Sequence, residues 1–147
     1  MRWLFCSGLL LFAMATQAMA QDAIGLIKSR TGDAMVERAD DTLPIGEGDR
    51  VFLNDVMVTG ANGSLGITFK DNTRLSLGNN TRLTMDAFVY APAEDNYSFV
   101  ARIGRGTVFF TSGVIATVAP EEVVIETPSA TIGVRGTRFL IRVGQGE

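Results

Sequence analysis

The amino-acid sequence predicts an all-β domain, and three observations lead to that prediction. After residue 20, no stretch places apolar residues at the i, i+3, i+4 spacing of an amphipathic helix. Apolar and polar residues instead alternate over short runs, which is the period of a strand with one buried face. Gly, Asn, Asp and Pro bound these runs, as expected for turns. We therefore expect short antiparallel strands in a meander, rolled or stacked into a sandwich- or short solenoid-like domain, with no helix beyond a leader.

The first twenty residues have the pattern of a secretory signal peptide. Arg2 supplies a positive start, residues 3–15 are apolar, and Ala18-Met19-Ala20 is a cleavage site of the A-x-A type. An uncleaved anchor helix is the alternative, although polar residues interrupt the apolar run. We expect a leader over 1–20 and one β domain over 21–147, periplasmic or secreted and without a transmembrane helix after cleavage.

Ten strands are predicted from the alternating runs and the turn residues between them. The most polar connection, 91–96, is expected to be the longest exposed loop. In chain order the predicted strands are Gly25–Arg30, Ala34–Arg38, Asp55–Thr59, Ser64–Phe69, Arg74–Leu77, Arg82–Ala87, Tyr97–Arg102, Thr107–Phe110, Glu122–Thr127 and Thr137–Val143.

A short repeat in the middle of the chain indicates which side chains face the core. Residues 72–77 (NTRLSL) are echoed by 80–85 (NTRLTM). Three-residue loops at 71–73 and 78–80 would pair Phe69 with Leu75, and directly opposite residues share a face. A hairpin between the two copies and an arc between facing sheets both satisfy the pattern. Either one buries the same residues: Leu65, Ile67, Phe69, Leu75, Leu77, Leu83 and Met85.

Composition excludes several classes of function. The sequence has no His, and its one Cys lies at position 6, inside the leader. A Ser-His-Asp triad, a Cys-His pair and an ordinary zinc site are therefore ruled out, and we expect no metal and no cofactor. The formal net charge of −3 and the lack of a basic run argue against nucleic acid as a partner.

Paired carboxylates leave one enzymatic alternative open. Acidic residues cluster at 40–41, 47–49, 94–95 and 121–122, and two carboxylates across a sugar ring can hydrolyse a glycoside. Carboxylates on β turns are more often solvated surface. We expect no enzyme, and we keep a polysaccharide-acting protein as the minor alternative.

The run VVIETPSATIGVRGTRF over residues 123–139 resembles the "TP-x-ATIG-[IV]-RGT-x-F" signature of the FecR domain, the periplasmic domain of ferric-citrate-type regulators. Segments 43–60, 67–78 and 105–113 are similar to the other motifs of that family, in the same order. The resemblance implies a stand-alone, non-catalytic module that binds an envelope or periplasmic protein in signalling or assembly. The family's sigma-factor-binding segment and membrane helix have no counterpart here, which predicts no direct sigma-factor contact.

The Gly-rich end of the signature has two interpretations. Glycine N–H groups beside Arg135 could bind a carboxylate or phosphate. We favour a structural bulge between core strands, with Arg135 paired to an acidic residue of the domain. The residues expected to have structural roles are Gly133, Arg135, Gly136 and Thr137, together with the turn formers Asp49, Asp55 and Gly60.

The last predicted strand suggests an interface. No further strand is predicted after it, so it could lie at a sheet edge and accept a partner's strand. The candidate interface residues are Phe110, Arg138 and Arg142. Two alternatives remain at this point, a structural subunit that assembles through β edges and a truncated form of a longer protein.

Overall fold

The computed structural model describes residues 21–144, so the predicted leader over 1–20 lies outside the described residues. The all-β prediction is confirmed, because the described chain forms a curled, half-barrel sheet of twelve strands. In chain order these are β1 (Gly25–Thr31), β2 (Ala34–Arg38), β3 (Asp41–Pro44), β4 (Arg50–Val51), β5 (Val56–Thr59), β6 (Ser64–Phe69), β7 (Arg74–Leu77), β8 (Arg82–Ala91), β9 (Asn96–Thr111), β10 (Val123–Glu126), β11 (Thr131–Gly133) and β12 (Arg138–Val143).

Several elements differ from the sequence prediction. A short helix, α1 (Val114–Val118), follows β9, although no helix was expected. Its first turn is held by Asp71, whose backbone carbonyl accepts from Val114 N (2.7 Å) and whose carboxylate accepts from Ile115 N (3.2 Å). A tertiary contact of this kind cannot be read from periodicity. The expected long loop at 91–96 is instead a tight turn, so β8 and β9 form one long hairpin.

Four long chain segments, 25–38, 56–69, 74–91 and 96–111, run antiparallel to one another, whereas β10 pairs in parallel with β9. Each segment bends once, and the bends lie side by side. One side of the bends carries β4, β1, β6, β7, the last third of β9 and β12, which we call half-sheet 1. The other side carries β3, β2, β5, β8, the first part of β9, β10 and β11, which we call half-sheet 2.

The row of bends is closed by hydrogen bonds between neighbouring segments. Gly60 N donates to Asp33 O at 2.9 Å, and Thr59 N donates to Thr81 O at 2.9 Å. The buried hydroxyl of Thr59 accepts from Thr81 N at 2.9 Å and donates to Gly78 O at 2.6 Å. These threonines supply bonds that the interrupted strand ladder cannot. Among the described residues, no buried side-chain nitrogen or oxygen is left without a hydrogen-bond partner.

The bent sheet encloses one hydrophobic core between its two halves. Phe99 of half-sheet 2 packs edge-on against Phe69 and Phe110 of half-sheet 1, with ring centroids 5.3 and 5.9 Å apart. Every residue predicted to face inward from the repeat is buried: Leu65, Ile67, Phe69, Leu75, Leu77, Leu83 and Met85. Burial of apolar surface on both halves is what stabilises the bent sheet over a flat one.

The two copies of the repeat do not form a hairpin with each other; they lie in the two facing half-sheets, as in the alternative of an arc. β7 and β8 do not pair with each other but lie end to end beside β9, on opposite sides of a bend. The predicted register between β6 and β7 was wrong by two residues, since Ile67 rather than Phe69 faces Leu75. Asp71 sets the observed loop, because its carboxylate accepts from Thr73 N at 3.1 Å and Thr73 Oγ1 at 2.7 Å. A shift of two keeps every apolar residue on its predicted face.

Gly106 is a residue of the bends at which a side chain should be poorly tolerated. Its φ is +98°, and a Cβ there would overlap the Cα and Oγ1 of Thr81. We expect Gly106→Ala to lower the free energy of unfolding by about 1–3 kcal/mol more than Gly136→Ala. Gly136 is a matched control, because its φ is +115° but a Cβ would meet nothing within 4 Å. Urea unfolding followed by circular dichroism measures both variants, and equal losses would contradict the role assigned to the bend.

Candidate functional site

The outer edge of β12 is unpaired over its six residues in the described structure. β12 pairs only with β9, whereas the other terminal strands are less suited to pairing. β4 has two residues and β11 has three, while β3 carries Pro44, which has no N–H to donate. Exposed edges of this kind can accept a further strand. The edge of β12 is therefore the candidate functional site.

Hydrogen-bond alternation identifies which backbone groups of β12 face outward. Ser112 N donates to Thr137 O at 2.8 Å, so these opposed residues form a hydrogen-bonded pair at the start of the β9–β12 ladder. Such pairs alternate with non-bonded pairs in an antiparallel ladder. It follows that the N–H and C=O groups of Arg138, Leu140 and Arg142 point to the free edge.

The side chains of the same residues lie on the outer face of half-sheet 1. Arg138, Leu140 and Arg142 are all exposed, with Leu140 at 57%. Phe109 lies directly opposite Leu140 on β9 and is 40% exposed. These two residues form an apolar pair between the two arginines. Backbone and side-chain groups suitable for recognition thus coincide on one strand.

Phe110 was proposed from the sequence as an interface residue, but the exposed residue of the pair Phe109–Phe110 is Phe109. Phe110 is 1% exposed and stacks on Phe139 with ring centroids 4.8 Å apart. The residues around it could have indicated this, because Thr107, Phe109 and Thr111 share one face of the strand. Two threonines on a face favour solvent, so Phe109 is the exposed ring.

The signature run 123–139 forms a hairpin and a connecting loop. Thr127 closes the turn between β10 and β11, since its N donates to Ala130 O at 2.8 Å and its hydroxyl accepts from Ala130 N at 3.1 Å. The loop into β12 is tied to Ser112, whose hydroxyl donates to Gly136 O at 2.6 Å. The turn at 127–130 and the end of β12 line a groove of about 450 Å³.

Where a structural bulge was predicted, Gly133 ends β11, and Arg135, Gly136 and Thr137 lie in an exposed loop. All four residues are exposed, and only Val134 between them is buried. Arg135 makes none of the ion pairs found within residues 21–144, so its predicted acidic partner is not present there. The bulge prediction was wrong because these glycines lie on exposed backbone and not where two strands pack closely together.

The predicted turn formers lie in turns that position half-sheet 2 and the bends. Asp49 Oδ2 accepts from Gly46 N at 2.7 Å, and Gly60 lies in the second bend. Asp55 is 1% exposed and is held by Arg38 through Nε–Oδ1 (2.8 Å) and Nη2–Oδ2 (2.7 Å) contacts. A two-pronged pair of this kind fixes the turn before β5.

Two further carboxylates are paired with arginines, while the acidic clusters at 40–41, 47–49, 94–95 and 121–122 are exposed. Glu37 pairs with Arg82 and Asp86 pairs with Arg102 on the outer face of half-sheet 2, each with a closest contact of 2.6 Å. Hydrogen bonding from Arg82 lowers the pKa of Glu37 below its usual value. Within residues 21–144, no group of three or more acidic, His or Cys side chains is placed to hold a metal ion.

Comparison with known proteins identifies the family. A family model described as FecR protein matches residues 55–147, from the start of β5 through β12 and beyond it. The chain belongs to the FecR family. This is a family of regulatory signalling domains. The FecR motifs include residues of the bends and turns described above. No curated protein and no solved structure matches the chain. No helix of this FecR chain within residues 21–144 is long and apolar enough to cross a bilayer.

The edge assignment predicts an alternating pattern of amide exchange along β12 of the FecR domain. In the free protein, the amides of Phe139, Ile141 and Val143 should be protected, while those of Leu140 and Arg142 exchange at least about tenfold faster. Hydrogen exchange followed by NMR measures this directly. The control is the stretch 107–110 of β9, which has neighbours on both edges and should be protected at every residue. Uniform protection along β12 would mean that another segment covers the edge.

Proposed function

We propose that this protein is a non-catalytic FecR-type recognition domain of the bacterial envelope, periplasmic or secreted, which binds a single protein partner in signalling or assembly. The leader pattern of residues 1–20 supports export, and membership of the FecR family supports a regulatory role. The observation that carries the proposal is the free edge of β12, with outward backbone groups at Arg138, Leu140 and Arg142.

Strand addition is the mode of binding that this edge favours. A partner segment laid against β12 would satisfy its unpaired N–H and C=O groups, while side chains on both segments set specificity. The side chains of Phe139 and Val143 are only half-buried at the rim of the core. An added strand would cover them, and this burial would add an apolar contribution to affinity.

Two other functions are less well supported by the same observations. Open-ended assembly through β edges needs two complementary surfaces on each copy, and the other terminal strands in residues 21–144 are short or contain Pro44. Hydrolysis of a polysaccharide needs two carboxylates converging on a sugar. The acidic clusters at 40–41, 47–49, 94–95 and 121–122 are instead exposed surface, and Glu37, Asp55 and Asp86 are paired with arginines.

The proposal is tested by site-specific photo-cross-linking in the producing bacterium. A photoreactive amino acid replaces Leu140 on the free edge or Leu43 on the edge of β3, both of which are exposed. We expect one saturable protein adduct from position 140 and none from position 43. Only self-adducts at position 140 would support assembly instead, and a glycan adduct would support the polysaccharide alternative.

A backbone variant separates strand addition from side-chain contact. Leu140→Pro removes one outward N–H but none of the bonds to β9, so the fold should be retained. We expect Leu140→Pro to lose the partner at least about tenfold, and the matched variant Leu140→Ala, which keeps its N–H, to lose less. Circular dichroism and the protection of the Ile141 amide verify folding. Equal partner binding by the Pro variant and the Ala variant would contradict strand addition.

A further inference from the structure

Charge is distributed unequally between the two halves of the bent sheet. The strands of half-sheet 1 contain no Asp or Glu, although the chain as a whole has a formal net charge of −3. The strands of half-sheet 2 mix both signs, and every ion pair found in residues 21–144 includes residues of that half. The basic residues on the strands of half-sheet 1 are Lys28, Arg30, Arg50, Arg74, Arg138 and Arg142.

The register of half-sheet 1 places arginines in rows across its outer face. Arg74 on β7 and Arg138 on β12 both lie opposite Thr111 of β9, so the three side chains share one row and one face. Leu140 lies opposite Phe109 in the next row, and Arg142 begins the third. The free edge therefore presents, on one face and in order, a positive, an apolar and a positive side chain.

We infer that the partner segment is an acidic, extended protein strand, with carboxylates two residues to either side of an apolar side chain. This inference rests on the proposed strand addition to β12. A residue added opposite Leu140 would be apolar and would extend the pair made with Phe109. Residues two positions away in each direction would face Arg138 and Arg142, which favour carboxylates.

The inner face completes the pattern of the partner. Side chains at the intervening positions of the added strand would point toward the half-buried Phe139 and Val143, beside the buried Ile141. Apolar residues suit those positions. The pattern is then Glu–apolar–Leu–apolar–Glu, which reads the same in both directions. Parallel and antiparallel addition thus present the same face to the arginines.

Charge would select the partner rather than supply most of the affinity. Each exposed cross-strand ion pair changes affinity by roughly two- to fivefold and is weakened by salt. Acidic polysaccharides and phosphorylated lipids would also be attracted to these arginines. Such ligands would not use the outward amides of β12, and this difference separates them from a protein strand.

The test uses two peptides with blocked ends that differ only in charge. One has the sequence Thr-Glu-Val-Leu-Val-Glu-Thr, and the other has Lys in place of both Glu residues. NMR titration at low salt follows the amides of Leu140 and Arg142. We expect the full protein to bind the acidic peptide at least about tenfold more tightly than the basic one, and to lose most of that preference at high salt.

Charge reversal provides the decisive comparison. Arg138→Glu with Arg142→Glu should invert the preference, so that the basic peptide binds more tightly. The matched control, Arg50→Glu with Arg74→Glu, reverses the same number of charges on the same face, at least two strands from the edge. At about 4.8 Å per strand those sites lie roughly 10 Å or more away, and the control should keep the preference for the acidic peptide.

Equal binding of the two peptides, no amide shifts on β12 at millimolar peptide, or a preference unchanged by the charge reversal would each overturn the inference. Displacement of the acidic peptide by dextran sulfate, combined with full peptide binding by Leu140→Pro, would assign the face to polyanions and also overturn it. If the peptides fail while the cross-linked partner is still lost on Leu140→Pro, the proposed function stands and only the acidic chemistry of the partner is wrong.

Discussion

The hydrogen-bonded row of bends is the constraint on which the rest of the structure depends. A sheet of this length would expose one apolar face if it stayed flat, and bending at one position in four adjacent segments encloses that face. Buried Thr59 and Thr81 supply the hydrogen bonds that the interrupted ladder lacks. Gly106 lets β9 pass within contact of Thr81 at a positive φ. The hydrophobic core and the bends therefore require each other.

Several of the FecR motifs contribute residues to the bends and turns. Thr59-Gly60 and the repeated Asn-Thr pairs at 72–73 and 80–81 lie at bends or turns. Gly113 packs so closely against the loop at 71–73 that a Cβ would overlap Thr73 N. Turn residues that are weak signals when each motif is taken alone are thus brought together in the folded sheet. Their role is to position strands rather than to react.

A consequence of the bent topology is that one long strand is left at an open edge. β9 spans both half-sheets. Along its outer edge, β10 pairs with residues 99–102 and β12 pairs with residues 106–111. β11 extends the sheet beyond β10, while within the described residues no strand extends it beyond β12. The same strand carries two arginines of the acid-free half-sheet, Arg138 and Arg142. The strand order therefore places arginine side chains and unpaired backbone N–H and C=O groups on the same strand.

The sequence by itself determined the β class, seven of the inward-facing residues and the family, because alternation and turn residues are local signals. It could not place the two halves of the β9 segment in one strand, or Asp71 at the start of α1, since both depend on residues distant in sequence. Only the tertiary structure decided that Phe110 is buried and Phe109 exposed, that Arg135 lies in an exposed loop, and that β12 has a free edge. Each of these depends on which segment packs opposite, and a one-dimensional pattern does not contain that information.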